Sequence, residues 1–284
     1  VNAAGKDESE VTLTLPELTG DDLVQRINDE ATTTLAMSVM PSEVAALEAR
    51  IVALEAMAPI ADDMTIDVVE ADGCAGILDA IASLDGRAIK STATVTIEVA
   101  DGTYACANTI AIDHPYGRRI RIVGAEDDAN DVNLFFLNVP GVEIRGGGLG
   151  WINGFKLSGN ESTGNAGLAI HSAVADFGDQ MIIANFGDDG LQLRYGAQVS
   201  APSIIAQNNG GSGVYVGENS FLSAPGAVAS DNDIRGFYLL NGAGAWVDGA
   251  TANDNGTPSD EDKGDGFFVR GGSVLWSASA LTAN

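Results

Sequence analysis

The chain is short of positive charge. Its 284 residues hold 14 Lys and Arg against 40 Asp and Glu, a formal net charge of −26. A protein that tracks nucleic-acid phosphates needs the opposite balance, so a nucleic-acid partner is not expected. Most of the few cations are Arg, and an acid-rich, lysine-poor surface suits work in salt, where like-charge repulsion is screened. Histidine and cysteine number two each and show no zinc-type spacing. Cys74 and Cys106 lie in segments that can meet, which leaves open either a bridge or two buried free thiols. There is no apolar run long enough to cross a membrane and no secretory-signal pattern, so no membrane insertion is expected. The first residue is Val and not Met, which leaves a removed leader open. Phosphate loops, nucleophile elbows and calcium-binding nonapeptides are missing. Acidic pairs such as Asp188 and Asp189 lack ligand spacing, so neither a metal nor a cofactor is expected. Aromatics make up only 6%, whereas glycine numbers 35 and hydrophobic residues reach 45%, a composition that excludes disorder and favours a corner-rich fold.

What is present is a repeat. MIIANFGDDGLQLRYGAQVSAPS aligns position for position with the IIAQNNGGSGVYVGENSFLSAPG that follows it. The units run 181–203, 204–226, 227–249 and 250–279, the last with seven extra residues, and a fifth opens at Ala280. Asn185, Asn208, Asp231, Asp254 and Asn284 share one column; Gly190, Gly213, Gly236 and Gly266 share another. A fixed period in this range means a solenoid. Leu191 and Leu193, Val214 and Val216, Phe237 and Leu239, and Phe267 and Val269 alternate with strand period. Val199 and Leu222 mark a second strand, and Ile183, Ala206, Ala229 and Ala252 a third. Three strands and three corners per turn describe an all-β solenoid, a parallel β-helix with coils of about 23 residues. The Asn/Asp column fits corners, because these side chains tolerate left-handed backbone.

Ahead of the repeat, PSEVAALEARIVALEAMAP places Val44, Leu47, Ile51 and Leu54 on heptad a and d positions, an oligomerisation seam for a short coiled-coil stalk. EADGCAGILDAIASLDG is an amphipathic helix with Ile77, Leu78, Ile81 and Leu84 on one face, expected to precede the first strand directly and to cap the solenoid.

The order of that helix, then VTIEVADGTY, a strand and DHPYGRRIRIVGA resembles the start of the right-handed parallel β-helix in bacteriophage tail-fibre and tailspike proteins, a fold shared with pectate-lyase-like enzymes. The preceding TGDDLVQRIN and stalk are similar to the virion-proximal parts of such proteins. The resemblance spans roughly residues 10 to 125 by motif and the rest by architecture. It implies a virion-proximal segment over 1–36, a stalk over 37–62, a capping helix with its connection over 63–90 and a β-helix over 91–284. It also implies an extracellular, virion-attached homotrimer that contacts other tail proteins through its first segment. Its function would be attachment to a host surface polysaccharide, with depolymerisation of that polysaccharide as the alternative.

Stacking spaces equivalent positions on neighbouring coils about 5 Å apart. Glycosidases need two carboxyl groups at about 5 Å or at 6.5–9.5 Å. Asp231 and Asp254 meet that spacing, although their column is also the corner column. A lyase needs a base beside a cation, and His171 and Arg194 become neighbours if Gly167 is the corner glycine of its coil. The expected glycan-binding or interface residues are Gln192, Arg194, Tyr215, Tyr238 and Phe268 on one outward column, with Trp246 and Trp276 on another beside Phe221 and Val274. Outward aromatic rings need cover, either from a neighbouring chain or from a sugar.

Overall fold

The computed structural model describes residues 44–48, 50, 58–125, 127–161, 164–256 and 264–283. The chain divides into two units, 1–55 and 56–284. In the first, residues 44–48 and 50 are helical, with Val44 and Leu47 exposed. Ile51 and Leu54 of the expected seam, and the 1–36 segment, lie outside the described residues.

The second unit winds through three all-parallel sheets of nine, eight and seven strands. From Val95–Val99 in the nine-stranded sheet the chain passes to Gly102–Cys106 in the eight-stranded sheet. It continues to Ile110–Ile112 in the seven-stranded sheet and returns at Ile120–Val123 beside its starting strand. Leu168, Leu191, Val214, Phe237 and Phe267 then pair in succession along one row of the seven-stranded sheet. These are the equivalent positions of the repeat, so the period in the sequence is the length of one coil.

Alternation makes the core. Leu191, Leu193, Val214, Val216, Phe237 and Leu239 are fully buried from one sheet, and Ala206, Ala229 and Ala252 from another. Large side chains on one wall and alanines on the other keep the cross-section constant from coil to coil. Asn185, Asn208, Asp231 and Asp254 all take left-handed backbone, with φ of 61, 55, 58 and 55°, as expected of their column. The hydrogen-bonding ladder is built by the next residue along. Asn209, Asn232 and Asn255 are buried, and the first two each donate a side-chain N–H to the asparagine of the following coil. Asn209 Nδ2 donates to Asn232 Oδ1, and Asn232 Nδ2 donates to Asn255 Oδ1, both at 3.0 Å. The same nitrogens also donate to the carbonyls of Ile183 and Ala206. The corner's left-handed turn and its buried polar ladder are thus divided between adjacent residues.

Three features depart from the sequence reading or resolve it. The nine-stranded sheet begins before the helix, because Met64–Val68 pairs in parallel with Val95–Val99. The helix Gly73–Ala82 therefore connects two strands instead of leading into the first. Its buried Cys74, Ile77 and Ala80 pack toward the opening strands of all three sheets. The alternation in MTIDV is too short to stand apart from the helix that follows. Second, Cys74 and Cys106 form a disulfide spanning 32 residues. Third, Trp246 pairs with Trp276, but Thr251 pairs with Thr282. The last turn thus gains one more residue between those strands than the repeat predicts. Asn284, expected in the Asp254 column, lies outside the described residues.

Candidate functional site

The outward face of the seven-stranded sheet collects the chain's scarce cations. Arg145, Arg194, Arg235 and Arg270, four of its 14 Lys and Arg, project there with His171. In a strand every second side chain points away from the core. Glu143, Ala169, Gln192, Tyr215, Tyr238 and Phe268 therefore form the central column, each in register with the next.

The rings and guanidinium groups interleave. Tyr215 meets Tyr238 edge-on at 5.4 Å, and Tyr238 meets Phe268 at 5.5 Å. The Arg194 guanidinium lies 4.8 Å from the Tyr215 ring centre. Arg235 covers both Tyr238, at 4.6 Å, and Phe268, at 4.1 Å. A guanidinium laid on a ring keeps its N–H edge in plane and available for oxygen ligands. Acidic partners moderate the charge: Glu218 lies 3.6 Å from Arg194, and Asp265 lies 3.8 Å from Arg235.

Not every expected contact is open. Tyr215 is 7% exposed and Gln192 9%. Burial, outweighing the opposing pull of the Arg194 charge, pushes the Tyr215 phenol above its ordinary value. Gln192 is turned inward to donate to Asp189 Oδ2 at 3.1 Å, while the Ser212 N–H donates to Asp189 Oδ1 at 2.8 Å. Desolvation, reinforced by Asp188, lifts Asp189 to about 6 against these hydrogen bonds. Tyr238, Phe268 and the Arg edges are what the face offers.

His171 and Arg194 are paired in register, so the base-and-cation juxtaposition exists. Glu143 joins them, with its Oε1 3.5 Å from His171 Nδ1, and the Tyr195 ring stands edge-on to the imidazole at 5.8 Å. Among the described residues, His171 Nε2, Arg194 Nε and Glu218 Oε2 are buried without a hydrogen-bond partner. Three consecutive coils therefore each bring an unsatisfied polar atom to one edge of the face. Asp231 instead lines a corner groove of about 420 Å³ with Glu161 and Asp233, where all the charges are negative. Asp254 occupies the next corner. Among the described residues no cluster of three His, Cys, Asp or Glu can hold a metal ion.

Sequence reasoning missed Glu143, Asp189's burial and Arg235. Glu143 belongs to an earlier coil whose alignment lacks the repeat's landmarks. Arg235 is hidden from the alternation: it stands two residues before Phe237 and so at an inward position of the pattern, yet its guanidinium reaches the rings of Tyr238 and Phe268. Trp246 and Trp276 pair on the nine-stranded sheet, as their column predicts. No protein-family model, curated protein or solved structure matches this chain.

Proposed function

We propose that this β-helix is the attachment module of an extracellular assembly of the virus tail-fibre or tailspike type, holding a host surface glycan on the outward face of its seven-stranded sheet. The observation that carries the reading is the ring and guanidinium row of Tyr238, Arg235, Phe268 and Arg270 on an otherwise acidic chain. Ring faces meet the apolar faces of pyranoses, and guanidinium edges donate to their oxygens. A disulfide favours an oxidising location outside the cell. We read the winding as right-handed, the hand that parallel crossovers take, and the helix 73–82 as a cover for the opening coil. The exposed Val44 and Leu47 are consistent with a trimeric stalk, and the first 36 residues would meet other tail proteins. Binding of the chain to a host surface polysaccharide, measured with Tyr238→Ala and Arg270→Ala, tests this. Unchanged binding by both variants would sink it, and a monomeric mass by light scattering would remove the stalk.

The second reading, depolymerisation of the same glycan, draws on Glu143, His171 and Arg194. A general base beside a cation is what elimination from an acidic sugar requires. Under this reading the wild type shortens the polysaccharide and His171→Ala does not. Polysaccharide of unchanged length after prolonged incubation with wild type excludes it.

A further inference from the structure

The nine-stranded sheet carries a second outward surface of different chemistry. Trp246 and Trp276 are paired across its last two strands, and Phe221 pairs with Gly244 one coil earlier. The Phe221 and Trp276 rings meet at 6.2 Å over Gly244, where a Cβ would come within 3.0 Å of the Trp276 ring. A side chain at 244 would drive the rings apart. Trp246, Trp276, Val274 and Phe221 remain 49, 50, 45 and 40% exposed. Phe221, the two tryptophans, Leu275, Ser277 and Ala278 line a cleft of about 640 Å³.

This cleft is held in shape. The Asp248 carboxylate hydrogen-bonds the Trp246 side chain. It also accepts the Ser279 N–H at 2.9 Å, the Ser277 hydroxyl at 3.2 Å and the Ala278 N–H. The backbone bonds from Ser279 and Ala278 are the main reason its carboxyl stays below the usual range. One ionised side chain therefore orients a tryptophan wall and fixes the 277–279 loop that closes the cleft. The extra residue of the last coil falls within this turn.

Area and charge decide the occupant. An aromatic side chain carries about 150–250 Å², so three half-exposed rings and a valine present on the order of 400 Å², half of the ~800 Å² that each partner gives a stable protein interface. Two copies at −26 also repel. The volume is instead that of a small-ligand cleft. Its lining has no Lys, Arg or His, and a carboxylate stands at its wall, so an anionic ligand is disfavoured.

We propose that the Trp246–Trp276 cleft is a subsite for a neutral pyranose, which lays its C–H face on the indole rings and meets the Ser277 hydroxyl at its edge. This stands apart from the reading of the seven-stranded face. Of the chain's three tryptophans two line the cleft, and indole fluorescence reports on it. The full chain is titrated with neutral gluco-, galacto- and manno-configured hexasaccharides. At least one is expected to give a saturable change. Trp246→Ala should then weaken it roughly tenfold or more, the loss expected of one stacked ring, and Trp246→Phe, which keeps a ring, should retain most of it. Tyr238→Ala should leave it unchanged, so failure here and failure of the other face are told apart. No saturable change with any of the three sugars overturns the proposal. So does loss of the response in Tyr238→Ala, or a fall in light-scattering mass in Trp246→Ala, which would mean that a second copy covers the cleft.

Discussion

The opening coils, residues 60–125, and the regular coils, residues 181–256, enclose the same kind of apolar interior but secure it differently. The opening coils use one-off devices. These are a helix between two strands, the 32-residue Cys74–Cys106 bridge, and His114, whose buried Nε2 lies 3.0 Å from the Leu84 carbonyl oxygen. The regular coils use one device many times, the Asn209–Asn232–Asn255 ladder. The difference shows that a solenoid needs covalent or tertiary help only where a coil lacks an equivalent neighbour on one side. Once two like coils stack, backbone pairing and a shared polar corner suffice.

The largest effect is expected at the bridge. Closing a loop of 32 residues is worth about 3.5 kcal/mol in the chain-entropy account. Cys74→Ser or reduction should lower the urea midpoint accordingly, with the loss confined to the opening coils in amide exchange. Equal loss of protection in the regular coils would mean that the two regions are not separately secured. Next comes Asn232→Ala. It leaves the buried N–H groups of Asn209 and the Ala206 carbonyl without their partner, at about 2–3 kcal/mol, and a destabilisation below 1 kcal/mol would show that the ladder is ornamental.

Asp189 sharpens the comparison by pH. Its folded pKa of about 6 exceeds the ordinary ~3.9, so its contribution is fully present below about pH 4 and is lost as pH rises through 6. Asp189→Asn keeps an acceptor for Ser212 and removes the buried charge. It should be more stable than wild type by roughly 2 kcal/mol at pH 8, with the advantage fading toward pH 4. A constant difference across that range would refute the assignment. The smallest effect is at the corner: Asp231→Asn should change stability by less than about 0.5 kcal/mol, and Asp231→Ala should cost about 1 kcal/mol at its left-handed φ of 58°.

The same contrast governs what the residues revealed in advance. Within the repeat the period places Leu191, Val214, Phe237 and Phe267 in one row, because a repeat supplies its own alignment, and taking Gly167 as the corner glycine of the preceding coil brings His171 beside Arg194. The opening coils offer no such ruler, so Met64–Val68 does not stand out from the connection around it, and Glu143, in the irregular coils that follow, precedes the repeat's landmarks. Burial was harder to read than position. Nothing in the spelling of Gln192 or Tyr215 says that an outward residue will be covered: Gln192 is held against Asp189, and Tyr215 lies against Arg194 and Tyr238 of the neighbouring coils. The pairing of Cys74 with Cys106 likewise depends on a helix and a strand meeting in three dimensions.

The asparagine ladder has one further consequence. Its rungs are chemically identical, so a chain that slipped by one whole coil, seating Asn209 against Asn255, would satisfy the same hydrogen bonds. The ladder enforces spacing but cannot count. Counting falls to the features that occur once: the bridge at Cys74 and Cys106, and the Asp248 turn that shifts Thr251 onto Thr282. These singular marks give a repetitive molecule an unambiguous beginning and a known phase, and their loss would show as heterogeneous refolding before it showed as lost strength.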